Sequence, residues 1–185
     1  MLFRPVIALA LVASAFADPL LKRQGSNTNA AIDKVVSTLS IKAHDSIPTI
    51  NTLQANHTAN DNTVGAQVTD LKNAFDTATT DLQGISPSTG SNTTDPTDND
   101  LGVVFGGVLS VAASGLSGLT TATVPSLNDF FATLDTSISA SVIAFNAAAP
   151  ADSATFVNTL LRDARQFFQK EGMTKTLTAL GFPTS

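Results

Sequence analysis

The chain has two histidines, His44 and His57, and any histidine-based proton transfer would have to start from them. Serine and aspartate are plentiful, so a Ser/His/Asp arrangement could be assembled in principle. The nucleophile elbow G-x-S-x-G is missing, however: Gly115-Leu116-Ser117-Gly118 lacks its last spacing residue. His44 stands beside Asp45 near an expected helix end, where a contact with the helix dipole explains it more simply. His57 lies inside Asn56-His57-Thr58. The two histidines are thirteen positions apart with no H-x-x-x-H pair, and there is no cysteine, so neither a catalytic nor a structural metal centre is expected. Asp95, Asp98 and Asp100 could be read as a calcium loop, but their spacing does not match an EF-hand; a solvated surface loop fits better. The expectation is a protein that is not an enzyme and holds no cofactor or metal.

Apolar chemistry is better represented. After the first 23 residues the chain has nine Phe, no Trp and no Tyr. Sugar-binding faces use Trp and Tyr, which stack and also offer a polar handle, whereas Phe offers only dry surface. Two pairs are adjacent, Phe130-Phe131 and Phe167-Phe168. Neighbours on a helix point about 100° apart, so both members cannot share one narrow seam. Either the buried face is wide or one Phe of each pair lines a cavity or groove. The candidate apolar site comprises Phe105, Val108, Phe131, Leu134 and Phe168, with Arg162 and Arg165 as possible carboxylate partners, although solvated positions suit both arginines.

Helices must position these residues. Val64, Val68, Leu71, Phe75, Ala78 and Leu82 recur every three or four positions and form one stripe of a helix with a wet opposite face. Such a helix is unstable alone and needs others to cover its stripe. A preceding helix starts near Asn27 to Asn29 and shows Ile32, Val35, Val36, Leu39 and Ala43; Pro48 is expected to end or kink it and then to open a continuation through Ile50 and Leu53. Gly84 is expected to stop the second helix in a left-handed conformation. Residues 84–100 read as a polar loop.

Leu101 to Leu119 is uncharged and carries five glycines in an approximate helical period. A membrane span is conceivable, with Gly102-x-x-x-Gly106 as a packing pattern. No Lys or Arg follows until Arg162, so nothing marks a cytoplasmic side, and a buried central helix is expected instead. Leu127 to Phe145 and Phe156 to Phe168 supply further helices, and Met173, Leu177 and Leu180 a short last one. No alternating strand pattern appears. The fold expected is all-α, a single-domain up-and-down bundle of about five amphipathic helices.

Residues 1–17 read as a secretory signal peptide: Arg4, an apolar run and Ala15-Phe16-Ala17. Residues 18–23 end in a dibasic Lys22-Arg23 and read as a possible propeptide, leaving 24–185 as the helical domain. Removing 23 of 185 residues leaves 162, with seven basic and fourteen acidic side chains, a net of −7. That balance disfavours nucleic acid and a polybasic membrane contact. Asn56 and Asn92 open glycosylation sequons. The tail from Leu177 lacks the apolar run of a lipid-anchor signal, so release outside the cell or into its wall is expected.

The segments IDKVVSTLSIKAHDSI, VGAQVTDLKNAFDTATTDL and SLNDFFATLDTSISASVIAF resemble the fungal hydrophobic surface binding protein A family, which is related to the cell-wall galactomannoproteins. The Gly-rich LGVVFGGVLSVAASGLSGL departs from the more charged helix usual there. The resemblance implies a secreted, non-enzymatic helical protein that adsorbs to hydrophobic surfaces and can help degradative enzymes occupy them. Some relatives hold fatty acids inside the bundle. The competing expectation is a structural cell-wall mannoprotein or secreted antigen whose glycans, rather than lipid contacts, carry its role.

Overall fold

The computed structural model describes residues 26–184, so the expected signal peptide and the Lys22-Arg23 site lie outside the described residues. Among these residues there are seven helices and no strand: α1 Asn29–Ala55, α2 Asp61–Gln83, α3 Asp98–Leu116, α4 Leu127–Ala148, α5 Ala151–Leu160, α6 Arg165–Lys170 and α7 Thr174–Ala179. All-helical architecture is as the periodicity predicts. The last long helix is instead divided, with a turn over Leu161 to Ala164 separating α5 from α6.

Every residue of the α2 stripe is buried. Asn60 caps that helix, its side chain accepting the Asn62 and Thr63 N–H groups. Pro48 does not end α1. It sits exposed inside a continuous helix, flanked by the buried Ile47 and Ile50. Each buried Ile contributes roughly 1.5–3 kcal/mol, enough for the pair to offset the hydrogen bond that Pro cannot make. His44 accordingly falls mid-helix, its ring Nδ1 2.8 Å from the Ser40 carbonyl oxygen, not at a helix end. Gly84 is right-handed (φ −78°), contrary to expectation. Its N–H closes the last turn onto Thr80 and Asp81, and the following residue, Ile85, is packed against the core. The polar loop is also shorter than expected: α3 starts at Asp98, capped by Thr97 and Asp100 bonding to each other's backbone.

Consecutive long helices alternate in direction, but spatial neighbours do not all do so. α1 packs on both α2 and α3, α2 on α4, α3 on α5 and α4 on α7. The start of α1 meets the start of α3 through Asn29 and Asp98, while Ile47 meets Gly115 and Gln54 meets Gly118 farther along. Hence α1 and α3 run parallel. Asp61 with Ser126 and Gly65 with Phe130 make α2 and α4 parallel in the same way. Ser153 and Asp98 do so for α5 and α3. Two layers result, α1–α3–α5 and α2–α4–α7, running in opposite directions, with one apolar cluster between them.

Glycines set the closeness of α3. A Cβ on Gly115 would stand 2.1 Å from Ile47 Cγ2, and one on Gly102 would stand 3.1 Å from the Ser153 carbonyl oxygen. α3 can approach both neighbours only because these positions lack side chains.

Candidate binding interior and apolar face

The five candidate apolar residues do not enclose one cavity. Phe105, Val108, Leu134 and Phe168 are buried in the core. Phe105 stacks on Phe145 with ring centroids 4.3 Å apart and planes at 16°, filling the space between α3 and α4 where an acyl chain would have to lie. Phe131 is half-buried at the margin of the same apolar cluster. It lines a pocket of about 260 Å³ with Leu119, Leu127, Asn128, Lys170 and Glu171, at the end of the bundle where α3 hands over to α4. Three other grooves, of about 490, 420 and 530 Å³, are lined mostly by hydroxyl, amide and charged side chains, among them Lys42, Asp70, Asn92 and Asp76. Their volumes would admit a ligand, but their walls do not match an acyl chain.

The two adjacent phenylalanine pairs differ, the first with one member lining a pocket and the second with both against the core. The Phe130 ring covers Gly65 of α2, while Phe131 turns to the pocket. Phe168 is buried and Phe167 half-buried against the core. Arg162 is exposed and Arg165 half-buried, and neither forms an ion pair among the described residues, where the ion pair is Lys72–Asp76. Partial burial pushes the Asp76 carboxyl up, but hydrogen bonds from Lys72 and Ser137 and the Lys72 charge prevail and hold it below the usual range.

The three loop aspartates are drawn to different partners. Asp98 points inward and accepts from Asn29 Nδ2 and the Ser91 N–H, both at 2.8 Å. Asp100 accepts from Thr97, first through its hydroxyl and then its backbone, which lowers its pKa. Asp95 is exposed. No group of three or more potential metal ligands occurs among the described residues. Asn56 and Asn92 are both exposed, at the end of α1 and in the loop before α3.

On the outside, α3 presents an uncharged strip beyond Asp100. Val103 is 51% exposed and Gly107 faces open space. Across Gly106 lies Leu160 of α5, 44% exposed. Ile41 and Ile143 are exposed singly on α1 and α4, which is ordinary for a protein surface.

Glu171, the only glutamate of the chain, is a buried acid that sequence reading missed. It is 7% exposed, and neither carboxyl oxygen has a hydrogen-bond partner. Burial pushes its pKa up to about 8, with the Lys170 charge opposing. Its placement just before Gly172, at the end of an apolar face, was the one available signal.

No family model matches this chain, and no curated protein matches it.

Proposed function

We propose that this chain is a secreted, non-enzymatic protein that binds hydrophobic surfaces or lipids by opening its bundle, the activity its resemblance to the fungal hydrophobic surface binding protein A family implies. The observation that carries this reading is the composition of α3 and α4. Both are long and apolar enough to cross a membrane, yet about half of each is buried inside the bundle. Apolar area gains roughly 25 cal/mol per Å² on leaving water whether other helices or an oily interface cover it, so the closed and adsorbed forms compete on similar terms. The Phe105–Phe145 stack favours this opening mechanism over a preformed fatty-acid cavity. Val103 and Leu160 provide a first point of contact.

Adsorption to octyl-agarose beads tests the reading. The secreted protein is expected to bind well above a helical control of equal negative charge, and native mass spectrometry is expected to show no retained fatty acid. Adsorption equal to the control's would overturn it. The exposure of Asn56 and Asn92 favours one second reading, a cell-wall mannoprotein. It requires glycans at both sites and no adsorption once they are removed.

A further inference from the structure

We propose that Glu171 is a proton-held latch: with its carboxyl protonated the α6–α7 leg stays seated against α4, and with it ionised the leg swings out and uncovers apolar interior. Glu171 forms the joint between two six-residue helices, followed by Gly172 in the left-handed region (φ +70°). Both carboxyl oxygens are buried with no donor to satisfy them. A neutral carboxyl tolerates this site better than a carboxylate, whose two buried oxygens would carry charge with no donor to satisfy them. Phe168, Met173 and Leu177 are buried on the same leg and move with it.

Other charges near the joint do not provide a partner. Lys170 alone lines the same pocket, and its ammonium reaches out to the Ser117 carbonyl oxygen at 3.5 Å. Arg165 on α6 and Asp129 on α4 line no part of that pocket. Asp135 on α4 is committed to the backbone N–H groups of Lys175 and Thr176, and the Lys175 ammonium to the Thr136 hydroxyl. The α3–α4 connection carries no charge, and the acids of α3 lie in its first turn at the opposite end. Neither histidine belongs to these elements.

The direction follows from linkage. With the seated carboxyl near 8 and a solvated one at 4.5, the latch is fully held below about pH 4.5. It weakens up to tenfold per pH unit as pH rises to about 8, then changes no further. The consequence for adsorption rests on the opening mechanism proposed above; the latch itself is tested in solution without any surface.

Met173 is fully buried two residues beyond Glu171 and is the only methionine besides Met1. Oxidation of Met173 in the full chain by hydrogen peroxide, followed by mass spectrometry, reads exposure of the leg. The rate is expected to climb with pH from 4.5 to 8, by up to tenfold per unit, and to stay flat in Glu171→Gln. Selective carbon-13 labelling of the sole glutamate gives a second readout on the unaltered protein, its carboxyl resonance titrating near 8. A pH-independent wild-type rate, an equally steep Glu171→Gln profile, or a titration midpoint near 4.5 would each overturn the latch. If Met173 follows the expected profile while beads capture no more protein at pH 8 than at pH 5, the latch stands and the adsorption reading fails.

Discussion

Asp61, the first residue of α2, accepts both the backbone N–H (2.9 Å) and the hydroxyl (3.0 Å) of Ser126 at the start of α4. Ser126 makes no side-chain cap of its own, so one helix is capped by the acid of another. Parallel neighbours bring two positive helix ends together, and a carboxylate between them offsets the repulsion. Asp98 plays the same part at the opposite end, bonding Asn29 of α1 from the first turn of α3. Asp61→Ala should therefore lose about 1–3 kcal/mol in chemical denaturation, and Asp98→Ala more, because the buried Asp98 carboxylate is the acceptor of both the Ser91 N–H and an Asn29 Nδ2 hydrogen. Equal stability of both variants with wild type would contradict this capping role.

Two glycines of α3 should respond with opposite signs. Gly115→Ala forces its new methyl into Ile47 and is expected to cost about 1–3 kcal/mol. Gly107 faces open space, so Gly107→Ala should stabilise by about 0.5–1 kcal/mol through helix propensity. Thermal unfolding monitored by circular dichroism distinguishes the two.

Removing the stacked ring separates cavity from opening. Phe105→Ala should destabilise the protein by about 3–5 kcal/mol. If surface binding proceeds by opening, the variant adsorbs to octyl-agarose faster than wild type. A rigid fatty-acid site would predict weaker binding instead.

Glu171 also sets how stability varies with pH. Because its folded pKa is raised, from 4.5 to about 8, its native-state contribution is intact below 4.5 and lost as pH rises toward 8. Glu171→Gln is expected to match wild type near pH 4.5 and to exceed it at pH 8 by roughly 5 kcal/mol. Urea titrations at the two pH values measure the difference.

Much of the fold can be read from apolar spacing, because burial of a stripe is decided locally. Val64 through Leu82 form a buried stripe residue for residue, and in α4 the spacing of Leu127, Phe131, Leu134, Ile138, Val142 and Phe145 marks residues that are all buried except the half-buried Phe131. Spacing says which face is dry but not what covers it, so the parallel pairing of α1 with α3 was not legible. Nor were Asp61, Asp98 and Asp135 as caps, since each serves a helix forty or more residues away. The helical continuation beyond Pro48 was legible in Ile50 and Leu53, but that α1 does not end at Pro48 rests on the burial of Ile47 and Ile50 against the other helices. At the candidate site, Phe105 was recognisably interior, but its partner Phe145 and the place of Phe131 on the wall of the end pocket depend on how the layers meet. Glu171 was missed because its place before Gly172, at the end of an apolar face, says nothing of what α4 and the α3–α4 connection lay over it.

Each of the four connections between α1 and α5 crosses from one layer to the other, which limits how far the molecule can gape. Only Ala149 and Pro150 join α4 to α5, a tether of on the order of 10 Å. Residues 56–60 tie α1 to α2 with on the order of 20 Å of slack at most. The two halves are laced together at both rims, so an oily interface would meet a clam held ajar rather than two detached rafts, and the protein could close again on leaving it.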